Sequence, residues 1–271
     1  MPMSRARSRI ARWLTGVPLV SMAAVLLFSC LIGAIASEVP AGAVTPPPQG
    51  WAVVQAPLPA DAGTGATDPN VYTATTTCPA ANSCVTVGWY DDTSAETWGQ
   101  IETQNGTSQT VTEAPQPANS GTGAQQGFWF GSQNCGFDAP CRAVSCPTTT
   151  SCVAVGQYMD SSGFLQPVVD TLSNGTWTSQ EGALPADTAT DVTATHPDGY
   201  LYSVSCATPT SCVAVGEYTN TSAHQQGFIS TLANGTWSAI TAPQPSDANT
   251  GSPSSVLFGV SCPSPAVRMY S

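Results

Sequence analysis

One short loop carries the only local cluster of acidic side chains in the chain. Asp91 and Asp92, with Glu96 nearby, follow the strand-like segment CVTVGWY, and Trp89 and Trp98 flank them. Two carboxylates that face one glycosidic bond can hydrolyse it, so a carbohydrate-active hydrolase that uses these acids is one hypothesis. A solvated turn is the interpretation that we favour, and a weak calcium site is a third.

A second group of side chains with chemical potential is aromatic. The segment GFWFG places three aromatic residues in a row, in the longest repeat of the chain. Flat aromatic faces beside carboxylates stack on sugar rings or anchor a protein partner, although Trp129 could instead be core. The candidate ligand-binding residues are Phe128, Trp129, Phe130, Trp89, Trp98, Asp91 and Asp92.

Residues for other kinds of chemistry are scarce. The only histidines, His196 and His224, stand in polar loops, and the sequence has no Gly-x-Ser-x-Gly nucleophile turn and no phosphate-binding glycine loop. From Ser37 onward, Arg142 and Arg268 are the only basic residues against 17 acids, which gives a net charge of −15. Because these motifs are missing from the sequence, we predict a non-enzymatic protein with no cofactor and no metal. Since no basic patch could neutralise phosphates, we also predict no nucleic-acid partner.

The cysteines are the third group, and their spacing is regular. Eight of them form four Cys-x5-Cys pairs, and the five intervening residues exceed the two to four that zinc sites favour. We therefore predict disulfides, each of which would stabilise the fold by about 2–2.5 kcal/mol by closing a small loop. Four neighbouring cysteines allow three connectivities, and Cys262 has no partner. The pairs are Cys78 with Cys84, Cys135 with Cys141, Cys146 with Cys152, and Cys206 with Cys212.

The elements that position these residues repeat along the chain. The leading cysteines, at 78, 146, 206 and 262, are 68, 60 and 56 residues apart. Each period contains four short segments that are rich in Val, Ile, Thr and aromatic residues and are bounded by turn residues, which is typical of β-strands. Asn-Gly dipeptides at Asn105, Asn174 and Asn234 predict hairpin turns before the last strand. The sequence therefore predicts an all-β array with three complete repeats and a partial repeat at each end.

Two repeats carry a resemblance to a known family. The segments LYSVSC…CVAVGEY…FISTLANGTW and RAVSC…CVAVGQY…VVDTLSNGTW resemble secreted bacterial Asp-box (BNR) proteins, which are sialidase-like. The resemblance extends from Trp51 to about Cys262 and implies a β-propeller-like array of four-stranded antiparallel blades. Sialidase chemistry in that family needs an arginine cluster, which two arginines cannot supply, so we do not expect that activity.

The domain organisation follows from composition. Residues 1–36 are predicted to be a signal peptide or signal anchor, because arginines precede an uncharged apolar run. Residues 37–50 are a Pro-rich linker, and residues 51–271 form the β-propeller-like repeat domain, which ends as though truncated. We expect a secreted or cell-envelope protein that touches membrane only through an uncleaved N-terminal segment.

The partners follow from the same reasoning. We expect a binding or scaffolding role toward a carbohydrate or protein ligand, with self-association through open blade edges. A truncated fragment without an independent function is the remaining alternative.

Overall fold

The computed structural model describes residues 55–64, 68–122, 127–131, 142–190, 196–249, 251 and 253–262. These residues contain thirteen β-strands and no helix. None of them therefore forms a helix with the length and apolar character that a membrane span needs. The predicted signal segment 1–36, the linker 37–50 and Cys135 and Cys141 lie outside the described residues. The strands are β1 Tyr72–Ala80, β2 Ser83–Asp91, β3 Thr97–Asn105, β4 Ser108–Glu113, β5 Phe128–Phe130, β6 Val144–Thr148, β7 Ser151–Met159, β8 Leu165–Ser173, β9 Thr176–Glu181, β10 Tyr200–Thr208, β11 Ser211–Thr219, β12 Gln225–Ala233 and β13 Thr236–Thr241.

The strands form three antiparallel sheets, one for each complete sequence repeat. The first sheet has the order β1-β2-β3-β4, and the third sheet has the order β10-β11-β12-β13. In the second sheet β7, β8 and β9 follow one another, while β5 and β6 both pair with β7. The prediction of an all-β repeat domain with four antiparallel strand positions per repeat is therefore confirmed for the residues that the structure describes.

The first strand of the second sheet is divided where the other two sheets have a bulge. The register of β1 against β2 shifts between Thr73 and Thr75, and that of β10 against β11 shifts between Leu201 and Ser203. In the second sheet the ladder to β7 stops at Phe130 and resumes at Val144. The extra residues of the longest repeat are therefore inserted at the bulge, where no ladder hydrogen bonds have to be broken.

The glycine that ends each C-V-x-V-G segment allows two strands to approach closely. A Cβ at Gly88, Gly156 or Gly216 would overlap a backbone carbonyl oxygen of the preceding strand. That oxygen belongs to Tyr72, Trp129 and Tyr200, respectively. These three aromatic residues therefore occupy the same place in successive sheets.

Disulfides connect the first two strand positions of every sheet. The bonds are Cys78–Cys84, Cys146–Cys152 and Cys206–Cys212, with Cα–Cα separations of 4.1, 4.0 and 4.0 Å. These three predicted pairs are confirmed, and the predicted pair Cys135–Cys141 lies outside the described residues. Cys262 is a free thiol.

The sheets pack against one another through two apolar clusters. One cluster joins Val87 and Ile101 of the first sheet to residues of the second, and the other joins Val155 of the second sheet to Ala214 and Phe228 of the third. All five of these side chains are at most 5% exposed. Since neighbouring sheets bury one face against each other, burial of apolar area between sheets is a main source of stability.

Serine side chains connect the first strands of the second and third sheets, and connect the third sheet to the segment that follows it. The Cys206 amide donates to Ser145 Oγ at 3.0 Å, and the Cys262 amide donates to Ser205 Oγ at 2.9 Å. Both serines directly precede a cysteine, so the Val-Ser-Cys part of the repeat has a physical role. A backbone hydrogen bond from Val204 to the Arg142 carbonyl, at 2.8 Å, adds to this connection.

The predicted Asn-Gly turns are confirmed in two sheets and shifted in the first. Asn174 and Asn234 have positive φ, as do the glycines that follow them. In the first sheet Asn105 is still in β3, paired with Ser108, so the turn consists of residues 106 and 107. Here the strand register, and not the dipeptide, decides which residues form the turn.

Candidate ligand-binding site

The acidic loop of the first sheet is a side-chain-stabilised turn. Asp92 Oδ1 accepts hydrogen bonds from the amides of Ser94 and Glu96, at 2.7 and 2.9 Å. Asp160 and Asn220 accept the same two bonds at the equivalent turns of the second and third sheets. Because the asparagine amide oxygen performs this function as well, the turn needs an acceptor and not a charge.

The other residues of the loop are also hydrogen-bonded within it. Trp98 Nε1 donates to Asp92 Oδ2 at 3.2 Å. Asp91 accepts from Thr97 Oγ1 at 2.8 Å and from Asn70 Nδ2 at 3.2 Å. The carboxylate of Asp92 is thus committed to the turn, whereas Asp91 is linked through Asn70 to a neighbouring cavity.

The GFWFG segment is mainly core. Phe128 and Phe130 are both 0% exposed, and their rings meet edge to face with centroids 5.1 Å apart. The expectation that these two side chains contact a ligand is therefore corrected, because β5 buries them between the first and second sheets. Trp129 lies between them on the opposite face and is half-buried.

A cavity of about 320 Å³ lies at the start of the first sheet and is lined by Asn70, Val71, Tyr72 and Trp89. The rings of Tyr72 and Trp89 stack with centroids 4.1 Å apart and an interplanar angle of 22°. Tyr72 is 37% exposed, whereas Trp89 is 6% exposed. Trp89 therefore backs the cavity, and Tyr72 presents aromatic surface to solvent.

Of the residues predicted from sequence, the structure places only Trp89 in the wall of this cavity. Asp91 stands behind Asn70, and the remaining five line other surfaces or the core. Sequence reasoning missed Asn70 and Tyr72, although a signal was present. The segments DPNVY and HPDGY precede β1 and β10 at equivalent places, and Asn70 and Asp198 in them both have positive φ.

Buried tyrosines close the same end of each sheet. Tyr90 donates to Asp61 at 2.9 Å, Tyr158 to Asn119 at 2.9 Å and Tyr218 to Asp187 at 2.6 Å. The three acceptors are in the Pro-containing segments that precede each sheet. Burial, together with the bond to Asp187, raises the pKa of Tyr218 to about 12. These hydroxyls therefore remain protonated at neutral pH and act as structural donors.

The first sheet has an excess of negative charge around its tyrosine. The pKa of Glu113 is raised, first by burial and then by Asp61 and Asp92. At the equivalent place in the second sheet, Asn119 Nδ2 donates to Glu181 at 2.8 Å. Nevertheless, no group of three or more His, Cys, Asp or Glu side chains among the described residues has the geometry of a metal site.

Comparison with known proteins adds no relative to this description. The chain matches no protein-family model, no curated protein and no solved structure.

Proposed function

We propose that this chain is an exported, non-enzymatic binding protein whose first sheet binds an uncharged carbohydrate. The observation that supports the proposal most directly is the stacked pair of Tyr72 and Trp89 in the wall of the cavity, with the Tyr72 ring 37% exposed. An aromatic ring supported from behind by a second ring is a rigid platform. Sugar rings present C–H groups that pack on such a face.

Polar groups beside the platform supply directional contacts. Asn70 lines the cavity, and its side chain is held at 3.2 Å by the carboxylate of Asp91. Side-chain amides and carboxylates are good partners for sugar hydroxyls, since they combine donors with acceptors. The wall of the cavity thus combines two aromatic rings with exposed polar groups, which suits a ligand that carries hydroxyl groups.

The charge of the protein favours an uncharged or amine-bearing glycan over an anionic one. From Ser37 onward the chain has 17 acids and two arginines. A polymer that carries sulfate, phosphate or uronate groups would be repelled by this surface. We therefore place uncharged β-linked glycans first among the ligands.

We further propose that the three sheets are blades of a β-propeller-like array outside the cytoplasm. Three equivalent four-stranded units support this architecture, since Thr75 connects the first sheet to the second and Ser145 connects the second sheet to the third. Three disulfides are compatible with an oxidising, extracellular location. The resemblance to Asp-box proteins remains a prediction about ancestry.

The test is binding of the secreted full chain to a glycan array and to immobilised cellulose and chitin. Tyr72→Ala is expected to weaken binding about ten-fold, which corresponds to the loss of roughly 1.4 kcal/mol of stacking. Ile240→Ala is the matched control, because Ile240 is 55% exposed on the outermost strand β13, away from the cavity. Ile240→Ala should melt close to the wild-type temperature, and Tyr72→Ala should melt slightly lower but cooperatively, because it loses only the stack on Trp89.

Two outcomes would overturn the proposal. One is the absence of binding to every uncharged glycan by the wild-type chain. The other is glycan binding that Tyr72→Ala and Ile240→Ala affect equally. Capture of a protein partner with Tyr72 at the contact would favour a protein ligand instead, and turnover on a glycoside panel would favour a hydrolase.

A further inference from the structure

The place that Tyr72 occupies in the first sheet is aromatic in all three sheets. Tyr72 pairs with Trp89, Trp129 with Gln157, and Tyr200 with Glu217. The backbone carbonyl oxygen of each aromatic residue also lies against the glycine of the C-V-x-V-G segment in the same sheet. The equivalence therefore rests on strand register and not only on sequence alignment.

These three rings are kept partly exposed while their neighbours are buried. Tyr72 is exposed, and Trp129 and Tyr200 are half-buried. The next residue along the strand, Phe130 or Leu201, is 0% exposed in the second and third sheets. Core packing alone does not require a large half-exposed aromatic side chain at the same place three times.

Buried acceptors without a partner stand opposite two of the rings. Gln157 and Glu217 are both 6% exposed. Gln157 Oε1 and Glu217 Oε2 make no hydrogen bond to any described residue. Buried polar atoms are nearly always satisfied by protein or by ordered water, so each of these oxygens retains the capacity to accept one more hydrogen bond beside a ring.

Tyr72, Trp129 and Tyr200 form a continuous row of aromatic residues, because hydrogen bonds join the first strands of neighbouring sheets directly. The Val204 amide bonds to the Arg142 carbonyl at 2.8 Å, and the Ala143 amide bonds to Thr75 Oγ1 at 3.4 Å. Tyr200 pairs three ladder positions beyond Val204, and Trp129 pairs three positions beyond Val144. The three aromatic residues therefore follow one another along the same end of the three sheets.

We propose that the ligand is a linear glycan chain that crosses all three sheets and contacts Tyr72, Trp129 and Tyr200 in turn. This inference rests on the proposed function, because it extends the same site from one sugar to a polymer. Successive weak contacts along one chain act as linked sites, and linkage raises the overall affinity without any single strong contact. The hydroxyl-bearing backbone of an uncharged β-linked glycan matches the unsatisfied oxygens beside the rings.

The experiment compares ligand length with the number of intact rings. Cello-oligosaccharides and chito-oligosaccharides from disaccharide to hexasaccharide are titrated into the full chain by calorimetry. The hexasaccharide is expected to bind at least about ten-fold more tightly than the disaccharide. Trp129→Ala and Tyr200→Ala should each weaken hexasaccharide binding about five-fold and leave disaccharide binding unchanged.

Conservative variants separate binding from folding. Trp129→Tyr and Tyr200→Phe keep a ring at each place and should bind the hexasaccharide like the wild type, and melting curves identify any variant that has lost structure. Equal affinity for all lengths, with only Tyr72→Ala impaired, would overturn the polymer inference and leave the single-sugar site intact. Failure of the wild-type chain to bind any member of either series would instead overturn the proposed function, and the polymer inference with it.

Discussion

The first and third sheets have the same ladder but opposite surfaces on one face. In the third sheet this face packs against the second sheet and is apolar. In the first sheet the equivalent face is polar, and Thr76 and Thr86 hydrogen-bond across it at 2.9 Å. The pairs of equivalent residues, first sheet against third, are Thr86 and Ala214, Gln100 and Phe228, Glu102 and Ser230, and Gln104 and Leu232.

This difference shows which positions the backbone fixes and which the neighbouring sheet fixes. The cysteines and the close-approach glycine are the same in both sheets because the hairpins need them, and the turn keeps a side-chain acceptor, Asp92 in the first sheet and Asn220 in the third. The face residues differ because no described sheet packs on that face of the first sheet. A polar outer face is typical of a capping repeat, and the self-association through open blade edges stays a prediction.

The largest effect is expected when a residue from the polar face of the first sheet replaces its equivalent on the buried face of the third sheet. Phe228→Gln gives the third sheet the residue of the first, and Phe228 is 0% exposed. It should lower the free energy of unfolding by about 3–5 kcal/mol, because a ring is lost from the core and an amide is buried. Urea denaturation measures this, with Gln100→Ala as the control at the equivalent place. Equal losses in the two variants would contradict the comparison.

Removal of the disulfides should have the next largest effect and should differ between the sheets. Replacing Cys78 and Cys84 by Ala is expected to cost about 2 kcal/mol, from loop closure alone. Replacing Cys206 and Cys212 should cost about 1 kcal/mol more, since Cys212 is 1% exposed whereas Cys78 is exposed. Denaturation of both double variants in oxidising buffer checks the order, and a reversed order would show that packing at Cys212 contributes nothing.

A smaller effect, which depends on pH, is expected in the second sheet. Asp170 is 0% exposed, and burial raises its pKa well above the usual value. Its neighbour Ser179 lowers this pKa to a lesser extent, but it does not lie within hydrogen-bonding distance. A raised folded-state pKa means that the group favours the fold below its unfolded pKa of about 4 and loses that contribution as the pH rises.

Asp170→Ser, which inserts the residue of the third sheet, is therefore expected to stabilise the protein at pH 7 by about 1–3 kcal/mol. Below about pH 4 the variant should gain nothing, because the aspartate is then protonated in both states. Melting temperatures across this pH range measure the difference. A gain that does not change with pH would show that folding does not raise the pKa of Asp170.

The smallest effect concerns the turns that Asp92 and Asn220 stabilise. Ala95 and Ala223 have φ values of 60° and 59°, and the equivalent residue of the second sheet is Gly163, at 82°. Ala95→Gly should raise the free energy of unfolding by about 0.5 kcal/mol, since only glycine adopts this conformation without steric cost. Gly163→Ala is the reverse control and should lower it by a similar amount, as thermal melts can resolve.

The sequence predicted those parts of the fold that are determined locally. The cysteines of the three described disulfides, the four strand positions and the turns at Asn174 and Asn234 each depend on a few neighbouring residues. The structure confirms these predictions. The shifted turn at Asn105 was missed because the register of a whole hairpin decides it. The burial of Phe128 and Phe130 was missed because it depends on how the second sheet meets the first.

The candidate site was harder to predict for the same reason. Trp89, a candidate from the sequence, lines the cavity, but its stacking partner Tyr72 is 17 residues away and becomes a neighbour only through strand pairing. Asp92 attracted attention as an acid, whereas its role in the turn is that of a neutral acceptor, as Asn220 demonstrates. The sequence shows which side chains can act as acids, acceptors or aromatic surfaces. It does not show which residues distant in the chain become neighbours through strand pairing.

The bulge in the first strand of each sheet has a consequence for protein engineering. In the second sheet the chain leaves the ladder after Phe130 and returns at Val144 without loss of the flanking pairs. The equivalent residues, Ala74 and Tyr202, are thus natural insertion points in the other two sheets. A peptide epitope or a small domain inserted after Ala74 would be displayed beside the row of aromatic residues. The disulfides would hold the framework that carries it.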